Sequence, residues 1–224
     1  MRRLLLPALW VCLAPGIAFA QIGRVANLPI FDSELRTGGL QLGWASPTGT
    51  SGFNEIVGGG VGLRSINFLG YQYLLDWVAV GIEAGITKFK KGSVNDFTTG
   101  AGGGGTGTAD ENHLGILMRV NFLQDRSWTP YMVGGLAYHS FKMSISADPD
   151  MTVRDPMTGA VSDSGFSRSV KGVGVSAGAG IEAFVLRGLS VSFESRWRQI
   201  RFTEGPAESL GHFLGFHLWF GPKI

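Results

Sequence analysis

Cysteine is all but missing from this chain: Cys12 is the only one among 224 residues, and it lies close to the N-terminus. No disulfide framework and no thiolate chemistry can therefore be built in the remainder. Charge is scarce as well, at 16% of residues. Without Arg2 and Arg3, 17 basic residues face 17 acidic ones. That balance leaves no basic patch for nucleic acid, so no nucleic-acid partner is expected. A long hydrophobic run is the third thing lacking. Leu4 to Leu13 is apolar, but falls short of the ~20 residues that a spanning helix needs.

That short run carries an export signal. Arg2 and Arg3 form a positive segment, Leu4 to Leu13 the apolar stretch, and Ala18-Phe19-Ala20 the small-x-small pattern that signal peptidase reads. Cleavage is expected after Ala20, giving a signal peptide over 1–20, a periplasmic N-terminal segment over 21–36 and a barrel domain over 37–224. Leu9-Trp10-Val11 before Cys12 lack the small residues of a lipidation site. The mature protein is then free of thiols.

Glycine, in contrast, is abundant at 35 residues with no Gly-X-Y period. Each interior glycine costs a helix roughly 1 kcal/mol, whereas a sheet uses glycine at turns and close backbone approaches. The rest of the chain alternates with period 2, the pattern of strands whose faces meet different surroundings. From Trp77 to Phe89, Val78, Val80, Ile82, Ala84 and Ile86 oppose Gly81, Glu83, Gly85 and Thr87. His113–Leu123 sets Leu114, Ile116, Met118, Val120 and Phe122 against Arg119 and Asn121. The same holds for Val173–Val185, for Leu189–Phe202 and for His212–Phe220. Thr37–Ala45, Gly60–Tyr73 and Pro130–Ile145 are weaker. In the second of these Arg64 suggests one phase and Ile66 and Phe68 the other, as a bulge would produce.

Eight strands are thus predicted. Short connections fall at Leu74–Asp76, Gln124–Thr129 and Leu186–Gly188, and long ones at Ser46–Gly59, Lys90–Asn112, Ser146–Ser169 and Thr203–Gly211. A soluble β-sandwich shows the same alternation, so periodicity alone leaves two architectures open. Two features favour a membrane barrel. The polar faces are rich in Gly and Ser with sparse charges, as a narrow lumen requires. Aromatics gather near strand ends, at Trp44, Tyr71, Tyr73, Trp77, Trp128, Tyr131, Trp197 and Trp219, as in interfacial girdles. A sheet crossing lipid must also close, and eight strands are enough to do so.

The order of elements over roughly residues 37–220 resembles the OmpA/OmpX-like eight-stranded outer-membrane β-barrels. The phrases that carry the likeness are Thr129-Pro130-Tyr131-Met132-Val133-Gly134-Gly135, and Gly178-Ala179-Gly180-Ile181-Glu182 running into Leu189-Ser190-Val191-Ser192-Phe193-Glu194. The last strand, with Leu214, Phe216, Leu218 and the aromatic Phe220, resembles the C-terminal signal read by the barrel-assembly machinery. Gly221-Pro222-Lys223-Ile224 follow, where that family usually stops. The resemblance implies an all-β antiparallel up-and-down barrel in the outer membrane. Its partners would be outer-membrane lipid and lipopolysaccharide, with the assembly machinery acting during biogenesis.

Candidate sites are few. Arg64, Glu83, Arg119, Glu182, Glu194, Arg196 and Arg198 are expected to face inward and pair, as a plug or as a gate. Trp44, Tyr71, Trp77, Trp128, Tyr131 and Trp197 are the expected interface aromatics. The glycine run over 100–107 lacks the Gly-Lys-Ser/Thr of a phosphate loop. Asp148, Asp150, Asp155 and Asp163 lack calcium-loop spacing. His139 and Ser140 are adjacent and so point to opposite faces. His113 and His212 are expected near a rim and His217 in the lumen. No catalytic residue, cofactor or metal is assigned. The expected function is a non-enzymatic barrel acting structurally or through its long loops toward an extracellular ligand. The alternatives are a narrow pore and, behind it, a lipid-A-modifying enzyme.

Overall fold

A strand in a closed sheet has one face toward the lumen and one away, so every second residue shares an environment. The computed structural model describes residues 34–48, 62–89, 92–94, 104–123, 127–154, 160–202 and 205–221. The expected signal peptide, and nearly all of the 21–36 segment, lie outside these. In chain order the strands are β1 (Arg36–Thr48), β2 (Gly62–Leu75), β3 (Val78–Phe89), β4 (Gly92–Val94), β5 (Gly105–Asn121), β6 (Trp128–Ala147), β7 (Val153–Arg154), β8 (Val161–Ser162), β9 (Phe166–Leu186), β10 (Leu189–Phe202) and β11 (Gly205–Phe220). Eight are long. They pair antiparallel in the order β3-β2-β1-β11-β10-β9-β6-β5, and β3 pairs with β5 to close the ring. β4 extends the line of β3 along the outer end of β5, and β7 and β8 form a small separate hairpin.

The barrel is inverted relative to a soluble protein. Outward residues are apolar and exposed, among them Ile82 at 64%, Phe68 at 61%, Leu114 at 63% and Ile116 at 61%. Inward residues include fully buried charges. Among the described residues, outward charges sit at the ends of the wall: Lys88, Asp110, Lys142, Lys171, Arg201 and Glu208 on the long-loop side, Arg36, Asp76 and Arg187 on the other. Between them, Val78 to Ile86 on β3 carries outward only Val, Ile and Ala. That stretch covers about 26 Å along the strand at ~3.3 Å per residue. At a tilt of about 40° it is roughly 20 Å of apolar height, close to the band of a transmembrane barrel. A soluble sandwich would expose its polar face, so this chain spans a membrane by its strands.

Several expected boundaries shift. β5 starts at Gly105, well inside the expected Lys90–Asn112 loop, and β9 starts at Phe166 rather than Val173. Ladder partners reward the continued alternation: Gly105 to Asn121 pairs without a break against β6. Most of the expected long loop Thr203–Gly211 is strand instead: β11 begins at Gly205, which pairs with Phe202, and Pro206 pairs with Arg201. Proline at the second position of β11 withholds a donor only where pairing begins. In β2 the register slips between Gly62 and Arg64, and from Ser65 to Tyr73 one phase holds, with Ile66 and Phe68 outward. β11 pairs with β1 through Arg36–Phe220, which sets the register of the last strand.

Candidate functional site: the barrel lumen

Two apolar clusters lie in the lumen. On the short-turn side lie Leu35, Leu69, Tyr71, Tyr73, Ala79, Leu117, Tyr131, Val133, Phe184 and Trp219. On the long-loop side Phe89, Phe141, Met143, Ile145, Val170 and Ile200 pack together. Val153 of β7 is wholly buried among them, so β7 packs into that layer. The rest of the lining is polar and charged, in three tiers, the first of them set among the short-turn-side cluster, where Ala79 and Val133 pair across the ladders with Arg119.

The first tier is built on Arg119, whose guanidinium pairs with Glu182 and donates from Nε to Asn121 Oδ1 at 2.8 Å. It also stacks 3.8 Å from the Tyr131 ring centre. Glu182 further accepts from Ser190 Oγ, which accepts from Trp219 Nε1 at 2.7 Å. Asn121 donates to the Tyr73 hydroxyl at 2.5 Å. In the second tier Arg196 bridges Glu194, at 2.5 Å, and Glu83. Glu194 accepts from Gln41 at 3.1 Å and from the Tyr131 hydroxyl at 3.0 Å. The third tier joins Arg198 to Glu83 at 3.4 Å and to Glu111 at 3.8 Å, with His113 and His139 beside them.

Glu83, Arg119, Glu182, Glu194, Arg196 and Arg198 thus form one buried network. Arg64 lies on β2, but its side chain falls outside the described residues. Glycine makes the network sterically feasible. A Cβ at Gly85 would lie 2.4 Å from the His113 ring, and one at Gly180 would lie 2.5 Å from the Tyr131 ring.

The expected aromatic girdle needs correction. Trp44, Trp77 and Trp197 are exposed outward and Trp128 is half-buried. Tyr71 and Tyr131 are instead buried in the lumen, as are Tyr73 and Trp219. Their polar atoms explain the choice: the Tyr73 and Tyr131 hydroxyls and the Trp219 N–H find buried partners there, which lipid could not supply. β6 follows suit, with Tyr131, Val133, Phe141 and Met143 inward and Met132, Leu136 and Tyr138 outward. Leu214, Phe216, Leu218 and Phe220 all point outward on β11.

The histidines also depart from expectation. His113 is buried in the lumen rather than at a rim, because β5 begins eight residues earlier. His217 meets Ser192 Oγ at 2.9 Å inside the barrel. His212 Nδ1 meets Ser195 Oγ at 2.9 Å on the outer face, between the Trp44 and Phe193 rings at 5.6 and 6.4 Å. Sequence reading missed both serine partners, since the register that juxtaposes them is not visible along one strand. Among the described residues no carboxylate pairs with His212, so the orienting member of a hydrolytic triad is not in place. The aspartates Asp148, Asp150 and Asp163 form no cation-binding group among the described residues, and Asp155 lies outside them.

No family model matches the sequence, and no curated protein matches it. Among solved structures, the neisserial surface protein A (NspA) superimposes with a TM-score of 0.55 at 12% identity, covering 84% of this chain and 98% of that one. The outer membrane protein OprG from Pseudomonas aeruginosa superimposes with a TM-score of 0.50 at 9% identity, covering 86% and 99%. At such identities the likeness concerns the fold: this chain has the fold of the eight-stranded outer-membrane β-barrels.

Proposed function

We propose that this protein is a plugged, non-enzymatic outer-membrane barrel that acts structurally or through its long loops. The observation that carries this reading is the filling of the lumen: buried ion pairs and aromatic rings follow one another along it, under an apolar layer on the long-loop side. Water crossing such a path would have to wet an apolar constriction and displace buried charges from their ion pairs with one another. The surface and outer-membrane names of NspA and OprG support the location. Export through the N-terminal signal, contact with lipopolysaccharide, and recognition of Leu214, Phe216, Leu218 and Phe220 by the assembly machinery belong to the same proposal. Trp44, Trp77, Trp128 and Trp197 would then sit at the lipid interfaces.

The test is planar-bilayer conductance of the detergent-refolded protein, with heat-shifted gel mobility as folding control. A silent bilayer with the heat shift present is expected. Discrete openings that change when Arg119 or Glu194 is neutralised would establish the pore instead.

A further inference from the structure

Glu111 and His113 are two apart on β5 and therefore share its inward face, and His113 pairs directly across the ladder with His139 on β6. That register brings one donor atom from each side chain within 4.8 Å of the others. All three residues are buried. Glu111 Oε1 lies 2.8 Å from His139 Nδ1 and 3.5 Å from His113 Nδ1. Neighbouring ligands of a tetrahedral zinc with ~2.0–2.1 Å bonds stand about 3.3 Å apart, so these separations suit one ion.

A second observation concerns His113 alone. Its Nε2 faces Glu83 Oε1 at 3.1 Å, and its Nδ1, although buried, makes no hydrogen bond. A carboxylate holding one ring nitrogen leaves the other with a free lone pair directed at the cluster. That is how the surroundings of metal-bound histidines fix ring and tautomer. Arg198 approaches Glu111 at 3.8 Å and opposes a cation. The buried charges of the described lumen are four carboxylates (Glu83, Glu111, Glu182, Glu194) and three guanidiniums (Arg119, Arg196, Arg198). A dication takes that sum from one negative to one positive, so charge balance permits either state and donor geometry discriminates.

We propose that Glu111, His113 and His139 bind a late first-row dication such as zinc inside the barrel, with a fourth position open to water. Two imidazoles and one carboxylate select this metal class over calcium or magnesium, which prefer oxygen ligands. The site lies directly under the apolar cover, with the His139 and Phe141 ring centres 6.5 Å apart. The ion therefore enters most readily while the barrel closes.

The test refolds the protein with equimolar zinc or cobalt(II), desalts it, and measures bound metal and the visible cobalt spectrum, with the heat shift confirming folding. One ion per chain in the wild type and in His217→Gln, lost in His113→Gln and His139→Gln, is the expected result. X-ray absorption of the zinc-loaded wild type should count two imidazoles, a readout independent of how the variants fold. A folded wild type that retains no metal and shows no cobalt bands would overturn the proposal, leaving Glu111 and His139 sharing a proton. Undiminished metal in both variants, or fewer than two imidazole ligands, would overturn it equally.

Discussion

The two ends of the charged lumen follow different rules. Toward the short turns, Arg119 and Glu182 match one to one, and Ser190, Asn121, Tyr73 and Trp219 hydrogen-bond to them or to one another. Toward the long loops, two carboxylates, Glu83 and Glu111, share Arg198 with two imidazoles, and His113 keeps an idle nitrogen. The first tier is complete in itself and acts as a structural lock. The second leaves its pairing incomplete. Within one barrel, then, burial of charge by itself is no guide to function; the completeness of its pairing is.

Breaking the lock should produce the largest effect. Arg119→Met leaves Glu182 buried without its cation, and a loss of about 3–5 kcal/mol is expected in urea unfolding from lipid vesicles. The double variant with Glu182→Gln should recover most of that loss; failure to recover would show that Arg119 acts through its stack on Tyr131 instead. Next comes the contrast between lumen and wall. Ile82→Arg places a charge in the middle of the outward band and should cost about 2–4 kcal/mol in the same assay. Arginine in place of Lys88, at the charged end of the same strand, should be nearly silent. Equal costs at the two positions would contradict the membrane placement.

A smaller change sharpens the link between tiers. Tyr131→Phe removes only the hydroxyl that donates to Glu194, a bond to a charged group worth about 1.5–3 kcal/mol. Unchanged stability would mean that Gln41 alone suffices for that carboxylate. The least effect is expected at the incomplete tier. Glu111→Gln in metal-free buffer removes the surplus negative charge and should shift stability by no more than about 1 kcal/mol, in either direction. A loss as large as that of Arg119→Met would place Glu111 in the structural lock as well.

Much of this was legible from alternation along the chain. Leu189 to Phe202 reads correctly in extent and in face, and Trp77 to Phe89 in face and to within one residue, because one face is aliphatic and the other small or charged. β6 was harder, since both of its faces carry apolar residues. Tyr131 and Met132 differ in hydrophobicity too little to say which meets lipid. The outer half of β5 was hidden by its glycines. Glycine reads as loop until a partner strand is known, yet Gly105, Gly107 and Ala109 continue the inward row that Glu111 and His113 complete.

The sequence by itself determined the number of long strands and, for most of them, which residues share a face, because period 2 is a local property of an extended chain. Only the tertiary structure decided which distant residues meet. Ring closure and ladder register place Arg119 on Glu182, Arg196 on Glu83, and His139 beside Glu111 and His113. A shift of one residue in any of those pairings would turn the same side chains to the opposite face. The chemistry of the lumen therefore resides in the register, which no single strand encodes.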